Sequence, residues 1–247
     1  MYSATSSGST GLAATMLVTI CLGSAASTAA EAAPIFYDSR AAFDAAIGTS
    51  ITDTYDDYGN GNGNLIFTDI QMNSVFGQTR YTPTENPNLN IVGPVISGFL
   101  GNPAYCAGCN GSFTLDFMHT TIGSSKGVYG VAFDFVNLGN LGVPPYTAFI
   151  TFGDGSTLNE PIPAEGGLVG GGIQLPPGFF GVTSDSLISS MALGLPNGEP
   201  TGFGFFAEDN LTIAGPPAVP EPTSIALIAT ALAGLRLLGA RRRKTCK

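Results

Sequence analysis

Strict alternation of apolar and polar residues is the feature that most narrows what this chain can fold into. Phe113, Leu115 and Phe117 alternate with Ser112, Thr114 and Asp116, and Tyr129, Val131, Phe133 and Phe135 alternate with Gly130, Ala132 and Asp134. Tyr146, Ala148, Ile150 and Phe152 continue the pattern, and Asp154-Gly155 follows at once as a hairpin turn signal. Side chains on a strand point to opposite faces in turn, so period 2 means strands buried on one face. Further strands are expected at 51–56, 65–72, 178–183, 187–193 and 203–213. One-face burial at this spacing predicts antiparallel sheets packed face to face, an all-β sandwich of jelly-roll type. A single short helix is expected at Arg40–Ile47, with Ser39 as its N-cap and Gly48 as its stop. Gly59–Asn64 and Gly166–Gly172 are expected to be flexible loops, and no internal repeat interrupts the pattern.

The charges separate the body from its ends. The 247 residues carry 9 basic and 18 acidic side chains, net −9, and six of the nine bases lie in the last twelve residues. Between Pro34 and Gly215 there are 3 bases against 16 acids, so this stretch is near −13. An acidic body without a clustered basic face excludes a nucleic-acid partner. At the N-terminus Leu12–Ala26 is uncharged and apolar, and Ala30-Glu31-Ala32 has the small-x-small form that precedes a signal-peptidase cut. The expected division is therefore 1–33 as signal peptide, 34–215 as β-sandwich, 216–222 as Pro-rich linker and 223–247 as membrane helix with basic tail. Thr223–Ala240 is apolar apart from Arg236, and eighteen helical residues span about 27 Å, close to a thin hydrocarbon core. Arg241, Arg242, Arg243 and Lys244 would hold that end in the cytoplasm, leaving the body outside.

Val219-Pro220-Glu221-Pro222 precedes this apolar run, and its prolines favour an extended strip. This order of Pro-Glu-Pro strip, apolar helix and basic stop at Arg241, Arg242, Arg243 and Lys244 resembles the PEP-CTERM sorting signal of Gram-negative bacteria. The resemblance implies processing by exosortase, an integral membrane enzyme with transpeptidase-like chemistry, at the motif Val219, Pro220, Glu221 and Pro222. It also implies an exported protein, passing through an inner-membrane intermediate to the cell surface or matrix, in species that make exopolysaccharide. Residues 110–215 further resemble the β-sandwich bodies that precede such tails, which supports the fold and says little about chemistry.

Within the body only Cys106 and Cys109 remain, spaced C-x-x-C, because Cys21 leaves with the signal and Cys246 lies in the tail. One such pair with a single His cannot assemble a four-ligand zinc site within one protomer from Cys and His alone, and an oxidising compartment favours a disulfide closing a short loop. His119, the only His, has no G-x-S-x-G elbow to serve and is expected to be an ordinary strand-end residue. No enzyme constellation appears and no cofactor is required. Asp53, Asp56 and Asp57 form one acidic cluster, and Glu208-Asp209-Asn210 ends the last strand. Hard oxygen ligands make Asp56, Asp57 and Asp209 the candidates for a structural calcium ion, though the D-x-[DN]-x-[DN]-G loop is absent and a solvated strand face gives the same pattern. Tyr55, Tyr58 and Tyr105 are expected on exposed loops, where they could stack on sugar rings. The function expected is a non-enzymatic surface or matrix module associated with exopolysaccharide or biofilm. The alternative is a surface carbohydrate-active hydrolase using two carboxylates of the acidic loops.

Overall fold

The computed structural model describes residues 32–56, 58, 63–76, 79–84, 87–93, 103–109, 111–137, 146–163, 167–169, 173–195 and 206–218. Residues 1–31 of the expected signal peptide, Asp57, Val219–Pro222 and residues 223–247 lie outside them. In chain order the elements are β1 (Ile35–Tyr37), α1 (Arg40–Ala46), β2 (Ser50–Asp53), β3 (Leu65–Phe67), α2 (Asp69–Phe76), β4 (Arg80–Pro83) and β5 (Asn90–Gly93). There follow β6 (Ala104–Ala107), β7 (Phe113–Asp116), β8 (Val128–Asn137), β9 (Thr147–Phe152), β10 (Thr157–Pro161), β11 (Gly167–Val169), β12 (Ile173–Leu175), β13 (Gly178–Gly194) and β14 (Phe206–Ala214). The molecule is mostly β, as the alternation predicts.

Among the described residues twelve strands join one antiparallel hydrogen-bonded sheet, and β11 and β12 pair separately. The two runs expected at 178–183 and 187–193 are one strand, β13, with different neighbours along its length. Gly178–Thr183 pairs with β8 and its end with β1, whereas Ile188–Gly194 pairs with β9 and Ser190–Leu193 with β7. Between them Leu187 has φ 58°, and the β9 register shifts between Ile188 and Ser190. At this corner the strand changes neighbours. Phe113 of β7 and Tyr146, which precedes β9, come from the strands beside its second half and meet Phe206 of β14 at ring distances of 6.0 and 4.7 Å. Phe206 lies opposite Asn137, at the far end of β8. One core therefore receives Val131, Phe133 and Val182 from one part of the sheet and Leu115, Ile150 and Leu193 from the other.

On its outer face the sheet carries α1. Ser39 caps the helix by accepting from the Ala42 N–H at 3.4 Å, and Phe43 is its one buried residue. Phe43 packs on Ala132 and Ala214, in a hollow left by Gly130 and Gly181. A Cβ on either glycine would come within 3.2 or 3.0 Å of the Phe43 ring, so the small side chains on this face are what admit the helix.

Two expectations are corrected. The strand expected over 65–72 stops at Phe67, and α2 begins at Asp69. Thr68 and Gln71 form a reciprocal capping box: the Thr68 N–H donates to Gln71 Oε1 at 2.9 Å, and the Gln71 N–H donates to Thr68 Oγ1 at 3.3 Å. That exchange satisfies early helix donors and ends the strand formed by the apolar run Leu65–Phe67. The Gly166–Gly172 segment is not loop throughout, because Gly167–Val169 pairs with Ile173–Leu175.

Candidate functional site

Glu208 and Asp209 are neighbours on β14, so their side chains leave the sheet on opposite faces. Each face gathers a polar cluster. In β14 the interior phase runs Phe206, Glu208, then Leu211 and Ile213, which requires one extra residue between. Asn210 supplies it: φ is 54°, and the pairing with β8 shifts between Asp209 and Thr212. Without that bulge Leu211 and Ile213 would turn to the outer face and out of the core.

Glu208 enters the core. Tyr55 donates its hydroxyl to Glu208 Oε1 at 3.1 Å and shares a 2.8 Å bond with the Tyr81 hydroxyl. Tyr105, directly opposite Glu208 in the ladder, donates to Asn90 Oδ1 at 2.9 Å, and Asn90 donates to Asp69 at 2.8 Å. Among the described residues Glu208 Oε2 is buried with no hydrogen-bond partner. Burial, reinforced by Asp53 and Asp209 and opposed by the Tyr55 hydrogen bond, pushes the Glu208 carboxyl up to about 8. At neutral pH it is mainly the neutral acid. Burial also raises Tyr55, Tyr81 and Tyr105 well above the usual phenol range.

These tyrosines overturn an expectation. Tyr55 and Tyr105 are fully buried, not exposed platforms. Asp53 accepts from the Tyr55 N–H at 3.0 Å and Tyr55 takes φ 56°, so β2 ends early and the ring turns inward. Tyr58 is half-buried and lines, with Asp53 and Tyr81, a cleft of about 220 Å³.

On the outer face Arg40, at the first turn of α1, is the organising cation. It contacts Asp134 Oδ2 at 3.0 Å, donates to Thr212 Oγ1 at 3.1 Å and to the Asn210 carbonyl at 3.2 Å, and lies 5.0 Å from the Phe179 ring centroid. Asn210 Nδ2 bridges two carboxylates, Asp134 Oδ2 at 2.8 Å and Asp209 Oδ2 at 3.2 Å. Asp209 and Asp134 are cross-strand partners. Burial, together with Asp134 and Asp56, raises Asp209 to about 7 against the opposing Asn210 N–H and Arg40. Arg40, Asp44, Asp134 and Asn210 line a cleft of about 420 Å³, while Asp209, 2% exposed, sits beneath it.

Of the calcium candidates, Asp56 and Asp209 are close enough to influence each other and Asp57 lies outside the described residues. Among the described residues no three His, Cys, Asp or Glu side chains converge as a metal site. Cys106 is the next-to-last residue of β6, and Gly108 and Cys109 just after the strand take φ 63° and 65°. This tight turn leaves the two cysteine Cα atoms 4.7 Å apart, inside the disulfide range. His119 sits in the exposed turn after β7, 3.7 Å from Asp116.

Sequence reasoning passed over Arg40, Asp134 and the tyrosine cluster. One signal was available: Glu208 occupies the apolar phase of its strand, two residues after Phe206.

Residues 218–244 match the model of the PEP-CTERM protein-sorting motif. The match contains Val219–Pro222, the apolar run and Arg241–Lys244. The motif marks exported proteins that exosortase sorts through a membrane-anchored intermediate in Gram-negative bacteria. No curated protein and no solved structure matches the chain.

Proposed function

We propose that this chain, which carries a PEP-CTERM sorting motif at 218–244, delivers a non-enzymatic body to the cell surface or extracellular matrix, in association with exopolysaccharide or biofilm. The motif match carries this reading, because strip, apolar segment and basic stop fall in register with it. The body adds support. Arg40 and Asn210 already occupy Asp134, and Asp209 is covered, so the polar residues of the outer face are engaged in holding α1 to the sheet. We read the curled sheet as a jelly-roll-like sandwich whose two layers share β13, and the Cys106–Cys109 pair as a disulfide formed after export.

Intact-mass measurement of the protein from its own envelope tests the sorting step. A mature chain beginning near Ala33 and lacking the residues beyond the Pro-Glu-Pro strip is expected. A chain retaining Thr223–Lys247 would make the apolar segment a permanent anchor.

A second reading, a surface carbohydrate-active hydrolase, draws on the Asp134–Asp209 juxtaposition below an open cleft and on a carboxyl raised to about 7. Release of reducing ends from the host exopolysaccharide by the wild type, lost in Asp134→Asn, would establish it.

A further inference from the structure

The two ends of the body leave it at one place. Across β1, β13, β8, β14 and β2 the register makes a single row of Ile35, Thr183, Gly130, Ala214 and Ser50. Ile35 is the first residue of β1 and Ala214 the last of β14, so both chain exits lie on this row. They are three strand spacings apart, about 14 Å. The exits are short and tied down. Gly215 donates to the Thr49 carbonyl at 2.9 Å and accepts from the Gly48 N–H at 3.0 Å, after which Pro216, Pro217 and Ala218 are exposed, as are Ala32 and Ala33 at the other exit.

The chain outside the body has matching lengths on the two sides. Ser27–Ile35 joins the row to the apolar run Leu12–Ala26, and Gly215–Thr223 joins it to the apolar run that begins at Thr223, nine residues each. Neither leash can reach beyond about 30 Å. From Gly130, on the row, to Asn137 β8 runs about 23 Å, so leashes could hold the row at the far side of the body only when stretched over at least three-quarters of their reach, whereas with the row facing the bilayer both stay slack.

Charge agrees with that orientation. The turn 118–127 lies beside Gly215 through Ile122, and the corner of β13 and the β9–β10 hairpin meet where Gly153 donates to Ser186 and Leu187. Two of the body's three bases, Arg80 and Lys126, lie at this end, against Asp116, Asp154 and Asp185. It is nearly neutral on a body near −13, and so the end least repelled by anionic lipid.

We propose that this end, formed by the two chain exits, the 118–127 turn and the β13 corner, is a membrane-apposed face, and that the body folds while leashed to one bilayer at both ends. The proposal rests on the sorting reading, because it needs the C-terminal apolar segment in the membrane. The partner is the lipid surface itself, and the cut at either leash frees one side of the same face.

The test uses the full chain with Cys21→Ser and Cys246→Ser, reconstituted in phosphatidylethanolamine–phosphatidylglycerol vesicles containing a headgroup spin-labelled lipid. A fluorophore is placed through Ser125→Cys, in the 118–127 turn, or through Thr84→Cys, which follows β4 at the opposite end. The background without an added cysteine controls for labelling at Cys106 and Cys109, and far-UV circular dichroism confirms that each variant keeps its sheet. Quenching at position 125 at least about threefold that at position 84 is expected. Equal quenching, or stronger quenching at 84, in protein that floats with the vesicles overturns the proposal and leaves the anchor reading intact. Protein that does not float removes the anchor reading and the proposal with it.

Discussion

Replacing Glu208 by Gln should change how the stability of this protein depends on pH. In the folded chain the buried carboxyl titrates at about 8, against 4.5 when freely solvated. Between those values the folded state keeps a proton that the unfolded chain releases. Stability is therefore greatest below pH 4.5 and declines as pH rises to about 8, by about 1.4 kcal/mol per pH unit for this one group. From pH 4.5 to 7 the loss is about 3 kcal/mol, a large part of the 5–15 kcal/mol that typically holds a domain together. Glu208→Gln keeps the acceptor for Tyr55 and has nothing to ionise, so this part of the slope should vanish. Its amide nitrogen would take the place of Oε2, which has no partner in the parent, so any offset should be similar at both pH values. Asp209 titrates in both proteins and largely drops out of their difference. Because the chain has no Trp, urea unfolding is best followed by far-UV circular dichroism, at pH 4.5 and 7. The variant should gain about 3 kcal/mol on the parent between the two. A difference that stays constant within about 1 kcal/mol would show that Glu208 is ionised in the fold, and the reasoning from burial would fail.

Asn210→Gly keeps the left-handed bulge and loses only the side-chain bonds to Asp134 and Asp209, which should cost about 1–2 kcal/mol. Asn210→Val adds a β-branched side chain at φ 54° and should cost at least about 1 kcal/mol more, and equal urea midpoints for the two would remove the bulge from the account. Phe43→Ala should cost about 3–5 kcal/mol, because the Gly130–Gly181 hollow cannot collapse onto the smaller side chain; a melting temperature unchanged within 2 °C would mean α1 contributes nothing to the body. Asp209 is already bonded by Asn210 beneath the surface, so EDTA or added CaCl₂ should leave the melting curve unmoved. A rise with calcium that EDTA reverses would support an ion at Asp56, Asp57 and Asp209.

The sorting motif was legible residue by residue, because it depends on covalent order: a Pro-Glu-Pro strip, an apolar run and cations in line. The strand phases were legible too, since which of Phe133 or Asp134 faces inward follows from alternation alone. What escaped depends on partners far along the chain. Tyr55 reads like a turn tyrosine until Glu208 and Tyr81, 153 and 26 residues away, give its hydroxyl a buried place. Arg40 reads as an ordinary helix residue until β8 and β14 bring Asp134 and Asn210 beneath it. The runs at 178–183 and 187–193 became one strand because different neighbours bond its two halves, and no local signal says which neighbours those will be. Short-range pattern sets the face a side chain takes; only long-range register, chosen by burial of the whole core, sets what it meets there.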